Sequence, residues 1–499
     1  MRNALRIIWV MAFLFILTGC ASVPADRGAG SVAAMAVERR GHLPELSPDV
    51  FERPQLQGET LTRADTVRLA VTHNPELRKL YADLGIASAD VLQAGRLSNP
   101  NFSASIMTSS ESGMANQLTF GLAQNFADLL LMPSRRRISE GQLERTKTEV
   151  AAAILDLIAR TEAAFYRLAA AREIARLREL QERASGLSSE LAGRFREAGN
   201  ISALALHLEQ AAASEARLAA VDARMLVEEA RFELNRLMGL HASEAVWSVE
   251  QGLALPVVAE DDPNEILILA HEQRLELVSV RRELDLLAEG VTLARRYRYI
   301  GEAELGVEFE RETDRSRLFG PFISLSLPLF NQNQGAILRS DARLEAGLAR
   351  LDALEIATGN EVYLAHQRVL GAREKVFEYR DVLVPSRVDI VERTQERVNF
   401  MLDDVFDLIR AKQQEYDAYH GYVEAVRDYW IARTELARLV GTELPSGLRF
   451  KKELIRLPEL IDPDEAAEHD HSEHDHDEPD HEHHAPEPEN HEHHHHGGH

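Results

Sequence analysis

Four short stretches of the chain alternate apolar and polar residues with a period of two. Phe102, Ala104 and Ile106 alternate with Ser103, Ser105 and Met107, and Leu118, Phe120 and Leu122 with Thr119, Gly121 and Ala123. Further along, Ala303, Leu305, Val307 and Phe309 alternate with Glu304, Gly306, Glu308 and Glu310, and Ile323, Leu325 and Leu327 with Phe322, Ser324 and Ser326. Successive side chains of a strand point to opposite faces, so each stretch predicts a strand with one apolar face. The other dominant pattern is helical and very long. Residues 133–198 carry no proline after the first, are rich in Ala, Leu, Glu and Arg, and place Leu143, Val150, Ile154, Leu157 and Leu168 at roughly heptad spacing. At a rise of about 1.5 Å per residue this is a helix roughly 100 Å long, which needs a coiled-coil-like wall to bury its stripe. Residues 335–399 repeat the pattern with Pro385 as a kink, before Asp403 and Asp404 open another helix. Gly199 and Asn200 mark the equivalent break earlier in the chain.

These patterns occur in the same order twice. Leu69-Ala70 and Pro75-Glu76-Leu77 return as Leu269-Ala270 and Leu275-Glu276-Leu277, an offset of 200, and Leu237-Met238-Gly239 returns as Leu439-Val440-Gly441, an offset of 202. Each copy opens on a helix N-cap with a carboxylate three residues later, Thr62 with Asp65 and Asp262 with Glu265, and Pro263 suits a first helical position. The chain therefore divides into residues 1–19, an extended segment 20–60, a first helix–strand–helix repeat 61–258, a second 259–461, and a tail 462–499.

The strand pairs would serve as hairpins on a soluble sheet, but the polar face of Glu304, Glu308 and Glu310 suits a wet lumen. Four strands cannot close a membrane barrel, which takes about eight in its smallest single-chain form, so several chains would have to share one. The N-terminus supplies a reason for a membrane to be near. Arg2 and Arg6 precede an apolar run from Ile7 to Leu17, a secretion signal too short to span a bilayer. Leu17-Thr18-Gly19-Cys20 resembles a bacterial lipobox, which implies a lipid anchor at Cys20; a chance or buried cysteine is the plainer alternative, but this is the only Cys in 499 residues. Internal disulfides are thereby excluded, and folding must rest on packing. Ala21 after the Cys, in place of Asp, favours sorting to the outer membrane.

Composition adds two constraints. The net charge of −25 argues against nucleic acid and against anionic membrane surfaces as partners. Much of that acidity is in the tail, where residues 462–499 hold fourteen acidic residues and no Lys or Arg. Thirteen of the twenty histidines are there too: His469, His471, His474, His476, His481, His483, His484, His491, His493, His494, His495, His496 and His499. With hardly any apolar residue the tail predicts disorder. Neutral imidazole with carboxylate suits labile Zn, Ni, Co or Cu(II), held at many weak two- and three-ligand sets; an expression tag does not explain the histidines spaced among acids and prolines, and a solvated acidic brush that binds metal only incidentally is the other plain alternative. No cofactor is required. His73, His207, His241, His271, His366 and His420 have no His partner at i+3 or i+4 and read as surface or packing residues. No phosphate loop, nucleophile–base pair or compact metal motif outside the tail points to an enzyme.

The two-copy order resembles the TolC-like outer-membrane efflux proteins. The residues that carry the resemblance are Leu61 to Leu77 (LTRADTVRLAVTHNPEL), Ser324 to Gly335 (SLSLPLFNQNQG), and the helix ends at Gly239 and Gly441. Pro328-Leu329-Phe330-Asn331 followed by Asn333 and Gly335 is similar to the heavy-metal, CzcC-type branch. The resemblance implies a mainly α chain with a membrane β-barrel portion: a homotrimer whose strands close a shared 12-stranded barrel in the outer membrane and whose long helices close a periplasmic tunnel. It implies a passive duct that docks onto a periplasmic adaptor and an inner-membrane proton-driven pump, here with divalent heavy metals as cargo. In the family an Asp-Val-x-Asp pattern narrows the periplasmic mouth, and Asp404-Val405-Phe406-Asp407 matches it, making Asp404 and Asp407 the candidate pore constriction. The plainer role for Asp403 or Asp404 is to cap a helix. The family's latch Arg, four residues before the first Asp, is here Phe400, and the first-copy position near Ala203 is uncharged. A general drug or solvent duct with an incidental tail is the nearest rival; a periplasmic coiled-coil scaffold or adaptor is the rival from another class.

Overall fold

The computed structural model describes residues 26–41, 56–108, 110, 113–241, 245–299, 303–449 and 453–455. Cys20 and the thirteen tail histidines lie outside the described residues. The first element is helix α1 (Ala29–Arg40), in the segment expected to be extended. Its Ala29, Val32 and Ala36 recur at helical spacing and are buried, which gives this Ala-rich stretch a stripe to pack on the long helix that follows. Strand β1 (Leu56–Leu61) leads into α2 (Arg63–His73) and α3 (Pro75–Ala94), β2 (Asn101–Met107), β3 (Gln117–Asn125), α4 (Ala127–Glu197), α5 (Ala203–Met238) and β4 (Ala245–Val249). The order continues as α6 (Pro263–Gln273), α7 (Leu275–Arg296), β5 (Ala303–Arg311), β6 (Arg317–Leu325), α8 (Gln334–Glu378), α9 (Val384–Asn399) and α10 (Val405–Val440), ending in a 3-10 turn at Pro445–Arg449.

Both expected helix starts are capped as the sequence predicts. Thr62 and Asp65 form a reciprocal capping box, and Asp262 accepts from the Asn264 and Glu265 amides. The long helix α4 has 71 residues, roughly 105 Å at the α-helical rise, and starts six residues earlier than expected, so Pro133 lies inside it. Proline there removes one backbone N–H bond near the start without ending the helix. The stripe is as read: Val150, Ile154, Leu157 and Leu168 are buried, and Leu143 is partly so. The equivalent helix of the second half is jointed. Between α8 and α9 a π-helical turn (Tyr379–Leu383) intervenes, in which the Val384 amide donates to the Tyr379 carbonyl, five residues back. Pro385 is the cause: it has no N–H for the Asp381 carbonyl and its ring crowds it, so the register widens by one residue. Gly421 on α10 leaves room for the Tyr379 ring, which a side chain there would strike.

The core gathers around the middle of α4. Leu69, Ala70 and Val71 of α2, Leu77 and Leu84 of α3, Leu234 and Leu237 of α5, and Trp247 and Val249 of β4 close on Ile154, Leu157 and Ile158. The sequence patterns do not reveal that β1 and β4 pair in parallel, Leu61 opposite Val249 and Glu59 opposite Trp247. Gly239 and Gly441 end α5 and α10 with φ of 70° and 83°, and each backs directly onto the break between two successive helices, α2 and α3 or α6 and α7. At Gly239 the neighbour is the His73 carbonyl; at Gly441, Arg274 Cα lies 2.9 Å from where a Cβ would be. Both the left-handed backbone and the close approach require glycine, which explains these repeated helix ends.

Two buried carboxylates fasten segments distant in sequence to one another, Glu162 holding the early helices and Glu260 the last one. Glu162 accepts from Arg63 and, at 3.4 Å, from Arg40. Glu260 pairs with Arg433, both under 7% exposed, and also accepts from the Tyr429 hydroxyl at 2.7 Å; burial and the Glu260 charge push that phenol's pKa up. Arg433 reaches Ser446 at 2.6 Å, whose amide donates to Asp261 at 2.9 Å. Removing one partner of such a pair strands the other charge. Glu260→Ala should therefore cost about 3–5 kcal/mol, and adding Arg433→Met should restore much of it; thermal unfolding of the purified protein in detergent measures both.

Candidate functional site

Each long helix leaves the four-stranded sheet at one end and reaches a helix-to-helix turn at the other. The first turn ends α4 with Gly199 at φ 78°: its amide donates to the Arg196 carbonyl at 3.0 Å, and the Asn200 amide to the Phe195 carbonyl at 2.8 Å. Ser202 then caps α5, accepting from the Ala205 amide at 3.1 Å. The second turn is built the same way. The Met401 amide donates to the Val398 carbonyl at 2.9 Å and the Leu402 amide to the Arg397 carbonyl at 2.8 Å, and Asp404 caps α10. The difference is at the left-handed position, where Met401 at φ 56° stands in place of a glycine. That backbone costs a residue with a Cβ about 1 kcal/mol.

Around this strained residue the side chains are tied down. Arg397 grips Asp403 with two bonds, 2.5 and 2.8 Å, and holds its carboxyl below the usual carboxylate range. The clamp is therefore present at neutral pH and is lost only as pH falls through that lowered value. The structure brings Asp404 and Asp407 together in one capping box: Asp404 accepts from the Phe406 amide and Asp407 from the Asp404 amide, each at 3.3 Å. Arg410 also pairs with Asp407. Phe400, Met401 and Leu402 form an exposed apolar apex, Met401 at 93%. Behind them Phe406 packs edge-on against Phe195 of α4 at 6.1 Å, and Gln413 donates to Ser185 at 2.9 Å. The Arg397–Asp403 pair is a feature that sequence reasoning missed, because it spans six residues across a turn and no helical spacing announces it.

The sheet has the order β2-β3-β5-β6, antiparallel throughout. The register sets Phe102 opposite Leu122, Phe120 opposite Phe309, and Leu305 opposite Ile323, so the alternating residues share one face as predicted. Phe102, Phe120 and Phe309 stack in a row across it at 6.4 Å centroid spacing. This face is bare: Phe102, Ile106 and Ile323 are each at least 65% exposed. The other face carries Ser103, Thr119, Glu308 and Glu310, with Gln117 donating to Glu310. Strand β6 ends at Leu325, so Leu327 lies beyond the sheet. Among the described residues the outer edges of β2 and β6 have no partner strand.

Among the described residues no group of three or more His, Cys, Asp and Glu side chains is placed to hold a metal, and no helix is long and apolar enough to cross a membrane. His366 is buried, with Nε2 3.0 Å from the Asp261 carbonyl. At the tip, Met401→Gly should raise stability by about 1 kcal/mol by removing the left-handed strain; denaturant melts of the purified protein read the change.

The sequence model of the family described as "Outer membrane efflux protein" matches residues 66–240. No curated protein matches the chain in sequence. Among solved structures, a membrane protein from Pseudomonas aeruginosa is similar with a TM-score of 0.65 at 17% identity, over 80% of this chain and 98% of its own. The CmeC outer membrane channel of Campylobacter jejuni gives 0.65 at 15% identity, over 77% of this chain and 86% of its own. The MtrE outer membrane channel of Neisseria gonorrhoeae, in its open state, gives 0.62 at 16% identity, over 76% and 88%. The chain thus has the fold of these outer-membrane channels, mainly long helices with one small antiparallel sheet, and its residues 66–240 match the outer membrane efflux protein family.

Proposed function

We propose that this chain is the outer-membrane component of a tripartite export system, a passive duct assembled from three copies. The observation that carries the proposal is the four-stranded sheet, with an exposed apolar face, a polar reverse face and two unpaired edges. Unpaired backbone groups are too costly in hydrocarbon, so β2 of one copy would pair with β6 of the next until the ring closes. Three of the strands have nine residues, within the roughly 9–11 that a tilted strand needs to cross a bilayer. Three copies of four strands make the twelve-stranded barrel, lined by Glu304, Glu308 and Glu310, and the two successive helix–strand–helix sets act as tandem repeats that continue its wall into the periplasm. A soluble scaffold would leave the Phe102–Phe120–Phe309 row in water to no purpose. The duct works by shape, without catalysis, and takes a periplasmic adaptor and an inner-membrane pump as partners. Cys20 carries the lipid anchor.

A general export duct is the better supported reading of the cargo. The similar solved structures are outer membrane channels or a membrane protein, and toward a metal branch the helical and sheet body offers the Pro328–Asn331 run alone. The thirteen tail histidines favour divalent metal as the second reading. Growth of a deletion strain on organic drugs and on Zn, Ni, Co and Cu, complemented by the full chain or by one stopped after Asp462, separates the two. Drug resistance restored by both forms supports the general duct; metal resistance restored only by the full chain supports the second.

Three-fold repetition of the tip would set Asp404 and Asp407 as rings of carboxylates across the mouth, drawing cations. Because Asn caps a helix as well as Asp does, Asp404→Asn together with Asp407→Asn preserves the start of α10. The expected result is a cation-to-anion permeability ratio that falls toward unity in planar bilayers. Unchanged selectivity would remove both residues from the filter, and absence of any conductance from the unaltered chain would overturn the duct.

A further inference from the structure

Where the sheet joins the helices, charged side chains crowd the adjoining helix ends. Most are matched within the chain: Arg135 pairs with Asp128 at 2.8 Å, Arg136 with Glu140 at 2.8 Å, Arg137 with Glu289 at 2.8 Å and Arg295 with Asp341 at 2.9 Å. Between the end of α3, the loop 95–100 and the start of α4, a cavity of about 610 Å³ opens to the surface. Two of its lining charges have no ion-pair partner among the described residues: Arg96 and, six residues before it, Asp90, both exposed. Gln93, Ser98, Ser139 and Gln142 add neutral donors and acceptors, and Leu97 and Ile138 an apolar floor. The cavity's position is fixed by Gln124. On β3 this residue has the parity of Leu118, Phe120 and Leu122, and it donates to the Ser98 carbonyl at 2.9 Å, so the rim at Ser98 continues the apolar face of the sheet.

We propose that this cavity is a phospholipid headgroup site, selective for the zwitterionic phosphatidylethanolamine headgroup of the leaflet on the helix side of the sheet; this rests on the duct reading, which puts the apolar face in hydrocarbon. Arg96 is the donor for the phosphate, forking onto two of its oxygens. Asp90 accepts from the primary ammonium, which has three N–H donors; a quaternary choline has none. The acyl chains then run along the bare face of Phe102 and Leu122. The chain's net charge speaks against an anionic surface, and a site offering one unmatched cation and one unmatched anion fits a zwitterion instead.

The test uses the full chain in nanodiscs of equal phosphatidylethanolamine and phosphatidylcholine, with retained lipid identified by native mass spectrometry. Phosphatidylethanolamine should be retained in preference. Asp90→Asn should abolish the preference, and Arg96→Gln should lower total retention about tenfold, the low end for loss of one hydrogen bond to a charged group. Arg315→Gln, on the hairpin at the far end of the sheet, should change neither. Equal retention of the two lipids by the unaltered chain, or indifference to both Asp90→Asn and Arg96→Gln, overturns the site. Conductance of the same preparations reports separately on the duct: a conducting pore without lipid preference rejects the headgroup site alone.

Discussion

A β-sheet placed in hydrocarbon must pair every backbone N–H and C=O, and the antiparallel sheet has only four strands among the described residues, with two edges open. A single copy cannot meet that demand, so in the proposed duct each copy supplies only a fraction of the membrane ring. The rest of the architecture inherits the condition. In one copy α5 leaves Leu204, Leu208, Leu218 and Met225 exposed, and α8 leaves Leu338, Leu348 and Ile356 exposed, although each helix is long enough to bury a full stripe. In the proposed duct those residues face neighbouring copies, and the monomer's packing around the middle of α4 is the part of the core that one chain completes alone.

The two tips show how one backbone solution diverges. The turns at Gly199 and Met401 share their bonding pattern, but the first is relaxed and its cap, Ser202, is neutral. In the second the left-handed residue is a methionine, the cap is a carboxylate, and Arg397, Asp403, Asp407 and Arg410 form a charged lattice within a few residues. Charge and strain are thus concentrated on one hairpin of the pair.

Much of this was legible in the sequence because the signals are periodic. Period-two alternation located the four strands of the antiparallel sheet, and the heptad-like spacing of Val150, Ile154, Leu157 and Leu168 located the buried stripe of α4. The caps at Thr62, Asp262 and Asp404 follow from local chemistry alone. What escaped depends on distance in three dimensions. The parallel pairing of β1 with β4 joins segments almost two hundred residues apart, and the Glu260–Arg433 pair joins a loop to the last helix. Helix α1 was hidden because it has no side-chain cap and its buried stripe is only Ala29, Val32 and Ala36. At the tip, the Asp404–Asp407 box was readable as a capping pattern, whereas the Arg397–Asp403 clamp depends on a turn that sequence does not specify.

The π-turn at Tyr379–Leu383 gives the two halves different mechanics. Helix α4 is an uninterrupted 71-residue rod, while its counterpart is two segments meeting at a wide turn where Pro385 has removed a hydrogen bond and Gly421 leaves the opposite surface without a side chain. Under a load applied at the tips, a rod transmits displacement along its whole length, whereas a jointed beam bends first at its weakest section. Of the two hairpins, the one ending at Met401 carries such a section, the π-turn that precedes the 16-residue α9, and is therefore the one expected to bend first.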